Sequence, residues 1–259
     1  MKNRSRTVID QMNSNVVVPT IPQRIISLVP SQTELLYDLG VGERVIGVTK
    51  FCVHPNEQVK NCQKIGGTKN FNFQTIETLQ PDLIIGNKEE NYPEGINNLK
   101  EKYPVWMSDI YTLSDALNMI ESIGEIVNAK DQAYTLINDI TDSFNGAEVK
   151  QKKTAVYLIW KNPYMVAGNN TFIHDMMNHA GFKNAITEPR YPEVKLEDLK
   201  KLNPDNIFLS SEPYPFKNHH IDELETFFPN SIIQIVDGEM FSWYGSRLKH
   251  AASYFKSLH

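Results

Sequence analysis

With 259 residues, 41% hydrophobic and 22% charged, the chain has the make-up of a folded globular protein, long enough for two domains and without a disordered or low-complexity tract. Its formal net charge of −5 comes from interspersed acidic and basic residues. No basic stripe is left to follow a phosphate backbone, which argues against nucleic acid as a partner. No run of about 18 apolar residues occurs, so no membrane-spanning segment is expected.

In chain order, residues 1–20 carry charges at Lys2, Arg4, Arg6 and Asp10 and lack the apolar core of a secretory signal. Either the chain is not exported or its signal is not part of it. Arg24 to Val29 is a compact apolar run stopped by Pro30 and reads as a buried strand. Ser31-Gln32-Thr33-Glu34 fits a capping box opening a helix with Leu35, Leu36 and Leu39 on its apolar face and Gly40 as its left-handed stop. Further strands are expected at Val45 to Val48, Leu83 to Ile85 and Pro104 to Met107. Strands alternating with helical periods predict a parallel, doubly wound sheet.

From Leu113 to about Ala147 the period is helical throughout, carried by Leu117, Ile120, Ile123, Ile126, Leu136 and Ile140 among others. The α/β pattern then resumes. Strands are expected at Thr154 to Ile159, Ile207 to Leu209 and Ile232 to Val236, a helix near Phe172 to Ala180 stopped by Gly181, and a closing helix from about Tyr244 to Leu258. Two words in the chain nearly coincide: Leu79-Gln80-Pro81-Asp82-Leu83-Ile84-Ile85 and Leu202-Asn203-Pro204-Asp205-Asn206-Ile207-Phe208. Each reads as the end of a helix, a proline stop and an apolar strand, so the chain looks like two related halves. The predicted fold is α/β: an N-terminal lobe over 1–112, a connector over 113–149 forming one long backbone helix, a C-terminal lobe over 150–259, and a ligand cleft between the lobes.

In open parallel sheets ligands sit outside the carboxyl ends of the strands. The loops after Val29, Val48, Gly86, Ile159, Leu209 and Val236 are therefore the candidates, beginning with Pro30 and Ser31. Cys52 and His54 lie in the loop after Val48. They could reach a metal, or Cys52 could pack as a small apolar group while His54 shapes the turn with Pro55. Cys52 and Cys62 allow one bridge or two free thiols. Trp160, Tyr164 and Met165 follow Ile159, Tyr191 stands further on, and Glu239, Phe241 and Trp243 follow Val236. Flat side chains at one rim suit a large, flat, partly apolar ligand. Trp106 reads as core, and His219-His220 as a solvated loop. The chain has no nucleophile elbow, phosphate loop, H-E-x-x-H or dinucleotide fingerprint, so an enzyme is not expected. Asp237 and Glu239, beside a glycine, read as a helix cap or a polar contact.

Three stretches carry a family likeness: Arg24 to Leu35, Leu79 to Ile85, and Phe241-Ser242-Trp243-Tyr244-Gly245-Ser246-Arg247. From about Gln23 onward the chain resembles the periplasmic cobalamin-binding proteins of bacterial ABC importers, within a wider group of helical-backbone receptors for cobalamin, haem and ferric siderophores. The resemblance implies a non-enzymatic periplasmic receptor that carries a corrinoid, or another metal chelate, as transported ligand and not as cofactor. A haem or ferric-siderophore binder and a cytoplasmic corrinoid carrier or sensor without a permease are the alternatives. The resemblance places Phe51 and Tyr191 where the family has aromatic residues, Glu239 where it has an aspartate, and Tyr164 and Met165 on a pocket-lining loop. Thr68 replaces a pocket tryptophan, and Trp243 stands at an arginine position. The family also docks on its permease through a glutamate from each lobe. Aligning the two repeated words selects Gln74 and Glu197, so the first lobe offers an amide and the second a carboxylate.

Overall fold

A computed structural model describes residues 4–145 and 153–259 of the protein. The chain divides into two compact units, the first made of Met1–Ile110, Ser114–Ile140 and Tyr244–Arg247, the second of Tyr111–Leu113, Thr141–Trp243 and Leu248–His259.

The first unit is built on a five-stranded sheet in the order Gln63–Lys64, Val45–Val48, Ile25–Ser27, Leu83–Asn87, Val105–Ser108, with every pair parallel. All five residues of Leu83–Asn87 are buried, as a central strand covered on both faces requires. Trp106 is fully buried in the neighbouring strand. A hairpin of Ser5–Ile9 and Asn15–Pro19, not foreseen from the sequence, precedes the sheet. Val16 and Val18 point inward, and the hairpin is tied to the sheet edge where Gln11 N donates to Met107 O (3.0 Å) and Trp106 Nε1 to Ile9 O (3.4 Å).

The helix after the first sheet strand runs Pro30–Asp38. The expected capping box does not form. Proline at the first helical position moves the start upstream, so Val29 becomes the N-cap, without a side-chain bond, and Ser31 lies inside the first turn. Glu34, thereby released, receives both Nε (3.0 Å) and Nη2 (2.5 Å) of Arg247 in a bidentate pair. The helix ends as expected: Gly40 has φ 75°, Gly40 N donates to Tyr37 O and Val41 N to Leu36 O, the two bonds of a Schellman motif.

The stretch expected as one long helix is two, Leu113–Ile126 and Lys130–Phe144. Asn128 enters the left-handed region at φ 58°, and Ala129 N closes back on Gly124 O (2.7 Å), another Schellman ending that apolar periodicity cannot reveal. Positions 146–149 of the expected connector lie outside the described residues.

The second unit's sheet runs Glu193–Val194, Tyr164–Val166, Lys153–Trp160, Asn206–Ser210, Ile232–Val236, and Phe182–Asn184 pairs with the start of Lys153–Trp160. It is mixed and not wholly parallel. Only Lys161, Asn162 and Pro163 separate Lys153–Trp160 from Tyr164–Val166, far too few residues for a crossover, so this pair is antiparallel. The closing helix begins at Leu248, not near Tyr244.

The repeated words fold alike. Phe73–Leu79 and Leu196–Leu202 are both seven residues long and end on left-handed caps, Gln80 (φ 46°) and Asn203 (φ 44°). Each aspartate then caps the start of the neighbouring strand. Asp82 accepts from Gln23 N (2.9 Å) and Arg24 N (2.8 Å), and Asp205 from Thr154 N and Thr154 Oγ1, both at 2.7 Å. Replacing Asp82 by alanine leaves two backbone donors without this partner, and a loss of about 1–2 kcal/mol of stability in urea denaturation is expected.

Candidate ligand-binding site

The side chains that gather at the carboxyl ends of the second unit's strands come from the loops after Ser210 and Val236. Ser211, Glu212, Ile235, Val236, Asp237 and Glu239 line an open cavity of about 590 Å³, within the usual range of small-molecule sites. Asp237 caps the short helix Gly238–Ser242, its Oδ1 accepting from Glu239 N (3.0 Å). Gly238 N donates to Ser211 Oγ (2.9 Å). A Cβ at position 238 would stand 2.5 Å from Ser210 Oγ, so only glycine lets these two loops approach.

Glu212 is the chemically distinctive member. Its Oε1 accepts from Ser242 Oγ and Trp243 Nε1, both at 2.9 Å. Burial, helped by the negative charges of Glu239 and Asp237, raises its pKa against the opposing effect of those two hydrogen bonds. The cavity wall thus presents carboxylates, which accept and do not donate while ionised.

Trp160 ends its strand 40% exposed, with its ring edge-on to Tyr214 at 5.5 Å. Tyr164 and Met165 are half-buried in the antiparallel strand. Tyr164 Oη donates to Glu223 Oε1 (3.1 Å), and burial followed by the Glu223 charge pushes its pKa up to about 12. Tyr191 is half-buried, with the Arg190 guanidinium 5.6 Å from its ring centre. Glu239 is half-buried and lines the cavity.

Phe241 is not available to a ligand. It is fully buried and packs against Tyr157 (5.0 Å) and Phe255 (4.7 Å), because the apolar side of its short helix turns into the core. Trp243, 7% exposed, acts through its indole N–H on Glu212 and not as an open face at a rim.

In the first unit, Phe51 is 51% exposed, with Lys50 Nζ 5.0 Å from its ring centre. Thr68 is half-buried, its carbonyl accepting from Asn91 Nδ2 (3.1 Å). Pro30 is half-buried and Ser31 is 4% exposed. Cys52 is buried, its sulfur near Thr33 Oγ1 (3.1 Å) and Thr49 Oγ1 (3.2 Å), and burial raises its pKa, which favours the thiol over the metal-binding thiolate. His54 is half-buried. Among the described residues no group of three or more His, Cys, Asp or Glu side chains is arranged to hold a metal ion. Both cysteines are free thiols.

Sequence reasoning picked the loop after Leu209 but missed Ser211, Glu212 and Tyr214 within it, since they form no motif. It also misread His220. That side chain is 5% exposed and caps the helix Asn218–Glu225, because its Nδ1 accepts from Lys217 N (2.9 Å).

Residues 25–227 match the family described as periplasmic binding protein, and the chain belongs to that family, the substrate-binding receptors of ABC importers. Such receptors are transport proteins and not enzymes. An uncharacterized ABC transporter substrate-binding lipoprotein, YvrC, of Bacillus subtilis is 30% identical over 214 residues, 78% of this chain and 68% of its own length. A vitamin B12-binding protein of Vibrio parahaemolyticus is 26% identical over 195 residues, covering 73% and 70%. Two solved structures share the fold equally, each with a TM-score of 0.77. The Vibrio cholerae periplasmic vitamin B12-binding protein BtuF is 21% identical, covering 92% of this chain and 98% of its own. The Roseiflexus periplasmic heme-binding protein RhuT is 20% identical, covering 91% and 98%. No helix among the described residues is long and apolar enough to cross a membrane.

The raised pKa of Glu212 makes its contribution to stability depend on pH. Burial makes its ionised form unfavourable in the folded protein, so its contribution is most favourable below the unfolded glutamate pKa and is lost as pH rises through the folded one. Glu212→Gln keeps an acceptor for Ser242 and Trp243 without the charge. Its melting temperature should exceed that of the wild type at pH 7, and the gap should close by about pH 4 in thermal unfolding followed by circular dichroism.

Proposed function

We propose that the protein captures a corrinoid for an ABC permease, holding it against Trp160, Tyr164 and Tyr191, with Glu239 and Glu212 as acceptors. The observation that carries this reading is the carboxylate-lined cavity of the second unit. A corrin ring bears amide side chains that donate hydrogen bonds to carboxylates. Haem propionates, and the anionic groups of many ferric siderophores, would instead bring negative charge toward Glu212, Asp237 and Glu239. The exposed face of Trp160 suits a broad apolar ring. The relative named for vitamin B12 binding supports the same ligand class. The corrinoid is cargo and not a resident cofactor, and the site of action is outside the cytoplasmic membrane. Cyanocobalamin, haemin and a ferric siderophore are the probes, read by absorbance and tryptophan quenching. Saturable quenching is expected with cyanocobalamin, weakened about tenfold by Trp160→Ala and by Glu239→Lys. Saturation with haemin or the siderophore but not cyanocobalamin would overturn the assignment.

We further propose that the permease is met through Gln74 and Glu197. Both are exposed and occupy the second position of the matching helices, Phe73–Leu79 and Leu196–Leu202. Glu77, one turn from Gln74, is already paired with Lys102 at 3.1 Å. Glu197→Lys should reduce stimulation of ATP hydrolysis by a corrinoid permease in proteoliposomes about tenfold, and Gln74→Glu should raise it.

A further inference from the structure

The loop that carries Glu212 into the cavity continues through Tyr214 and Phe216 to Lys217, the N-cap of the helix Asn218–Glu225. His220, buried in the first turn of that helix, holds this segment from two sides. Nδ1 accepts from Lys217 N at 2.9 Å, and Nε2 lies 3.3 Å from Tyr214 Oη. A backbone N–H can only donate, so Nδ1 must be bare and the single proton of the neutral ring sits on Nε2, facing the tyrosine oxygen. Phe216 packs edge-on to the imidazole at 5.3 Å and to Tyr214 at 4.7 Å. Tyr214 in turn supports Trp160.

We propose that His220 is a positioning residue for the binding rim: as the neutral Nε2–H tautomer it fixes Tyr214 beneath Trp160, and a second proton on the ring releases that segment. Protonation would turn the Nδ1 acceptor into a donor facing the Lys217 donor, and the cap would be lost. The charged and titratable groups around it are His219 and Glu223 on its own helix, Lys217 at the cap, Tyr214 on the loop, and Lys161 on the turn after Lys153–Trp160. Burial, then the charges of His219 and Lys161, hold the imidazole pKa below its ordinary value. Glu223 pulls the other way, but its carboxylate is engaged by Lys161 and by Tyr164 Oη. A depressed pKa means that the stabilisation is complete above the unfolded value of about 6.5 and is lost as pH falls through the folded one.

The inference rests on Trp160 and Glu212 belonging to the ligand site. Its decisive readout needs no ligand: Trp160 emission, taken as the difference between the wild type and Trp160→Phe, followed from pH 7.5 to 4.5. His220→Gln is the conservative variant, since glutamine at this helix position can reach back to the cap N–H without gaining a proton. The wild-type signal should change in acid and that of His220→Gln should stay flat. Cyanocobalamin affinity should fall about three- to tenfold over the same range in the wild type and less than about twofold in the variant. Glu212 is present in both proteins, so its own titration cancels in the comparison. Identical acid profiles for the two proteins would overturn the proposal, as would a wild-type imidazole titrating at or above about 6.5 by NMR, a measurement that stands even if the variant misfolds. No cyanocobalamin binding at any pH would sink the corrinoid reading alone, with the emission and NMR titrations still deciding the role of His220.

Discussion

A parallel strand enters its sheet from the solvent side, where its first N–H groups lie outside the ladder and need another acceptor to orient them. This protein meets that demand twice with the same device. Proline ends a short helix, and the next residue, Asp82 or Asp205, turns its carboxylate onto the backbone N–H groups opening the adjacent strand. The clamp fixes register: Ile25 pairs with Leu83 in one unit and Ala155 with Asn206 in the other. Side-chain period in a strand is two, so a slip of one residue would turn every buried side chain outward. The loops at the far ends of these strands, including those lining the cavity, inherit their positions from that register.

Much of the architecture was legible because it depends on local chemistry. The runs at Ile25, Val45, Leu83 and Val105 became strands, and Gly40 and Gly181 ended helices with positive φ, as glycine does without steric cost. The two L-x-P-D words were legible for the same reason, since proline, the left-handed cap and the aspartate act within a few residues. What failed depended on competition between signals. Ser31 to Glu34 has the letters of a capping box, but Pro30 took the first helical position and left Glu34 for Arg247, more than two hundred residues away in sequence.

The site was legible as a set of loops and not as a set of contacts. Two of the six loops chosen by strand polarity line the cavity, yet the residue with the most perturbed carboxyl there, Glu212, follows two serines and matches no pattern. Its character comes from burial and from the charges of Glu239 and Asp237, set against hydrogen bonds from Ser242 and Trp243, and no local reading joins these groups. Phe241 fails for the converse reason. It sits in an aromatic-rich loop stretch by sequence, but a short helix capped by Asp237 rotates it into the core. His220 beside His219 looks like a polar pair, and only the capping geometry tells the buried ring from the exposed one.

The two units also bring unlike chemistry to the loops at their strand ends. In the first, Lys50 lies over the Phe51 ring, and Asn87, Asn91, Gln32 and Ser108 form a buried hydrogen-bonded network. In the second, carboxylates line the cavity, and Lys161 is paired with Glu223. Stacking on an aromatic face tolerates any flat ring, so an exposed ring such as that of Phe51 offers little discrimination by itself. A half-buried carboxylate discriminates strongly, because a ligand group that cannot donate to it leaves a desolvated charge unpaired. Under the corrinoid proposal, the loops after Ser210 and Val236 are where amide-bearing ligands would be told from carboxylate-bearing ones.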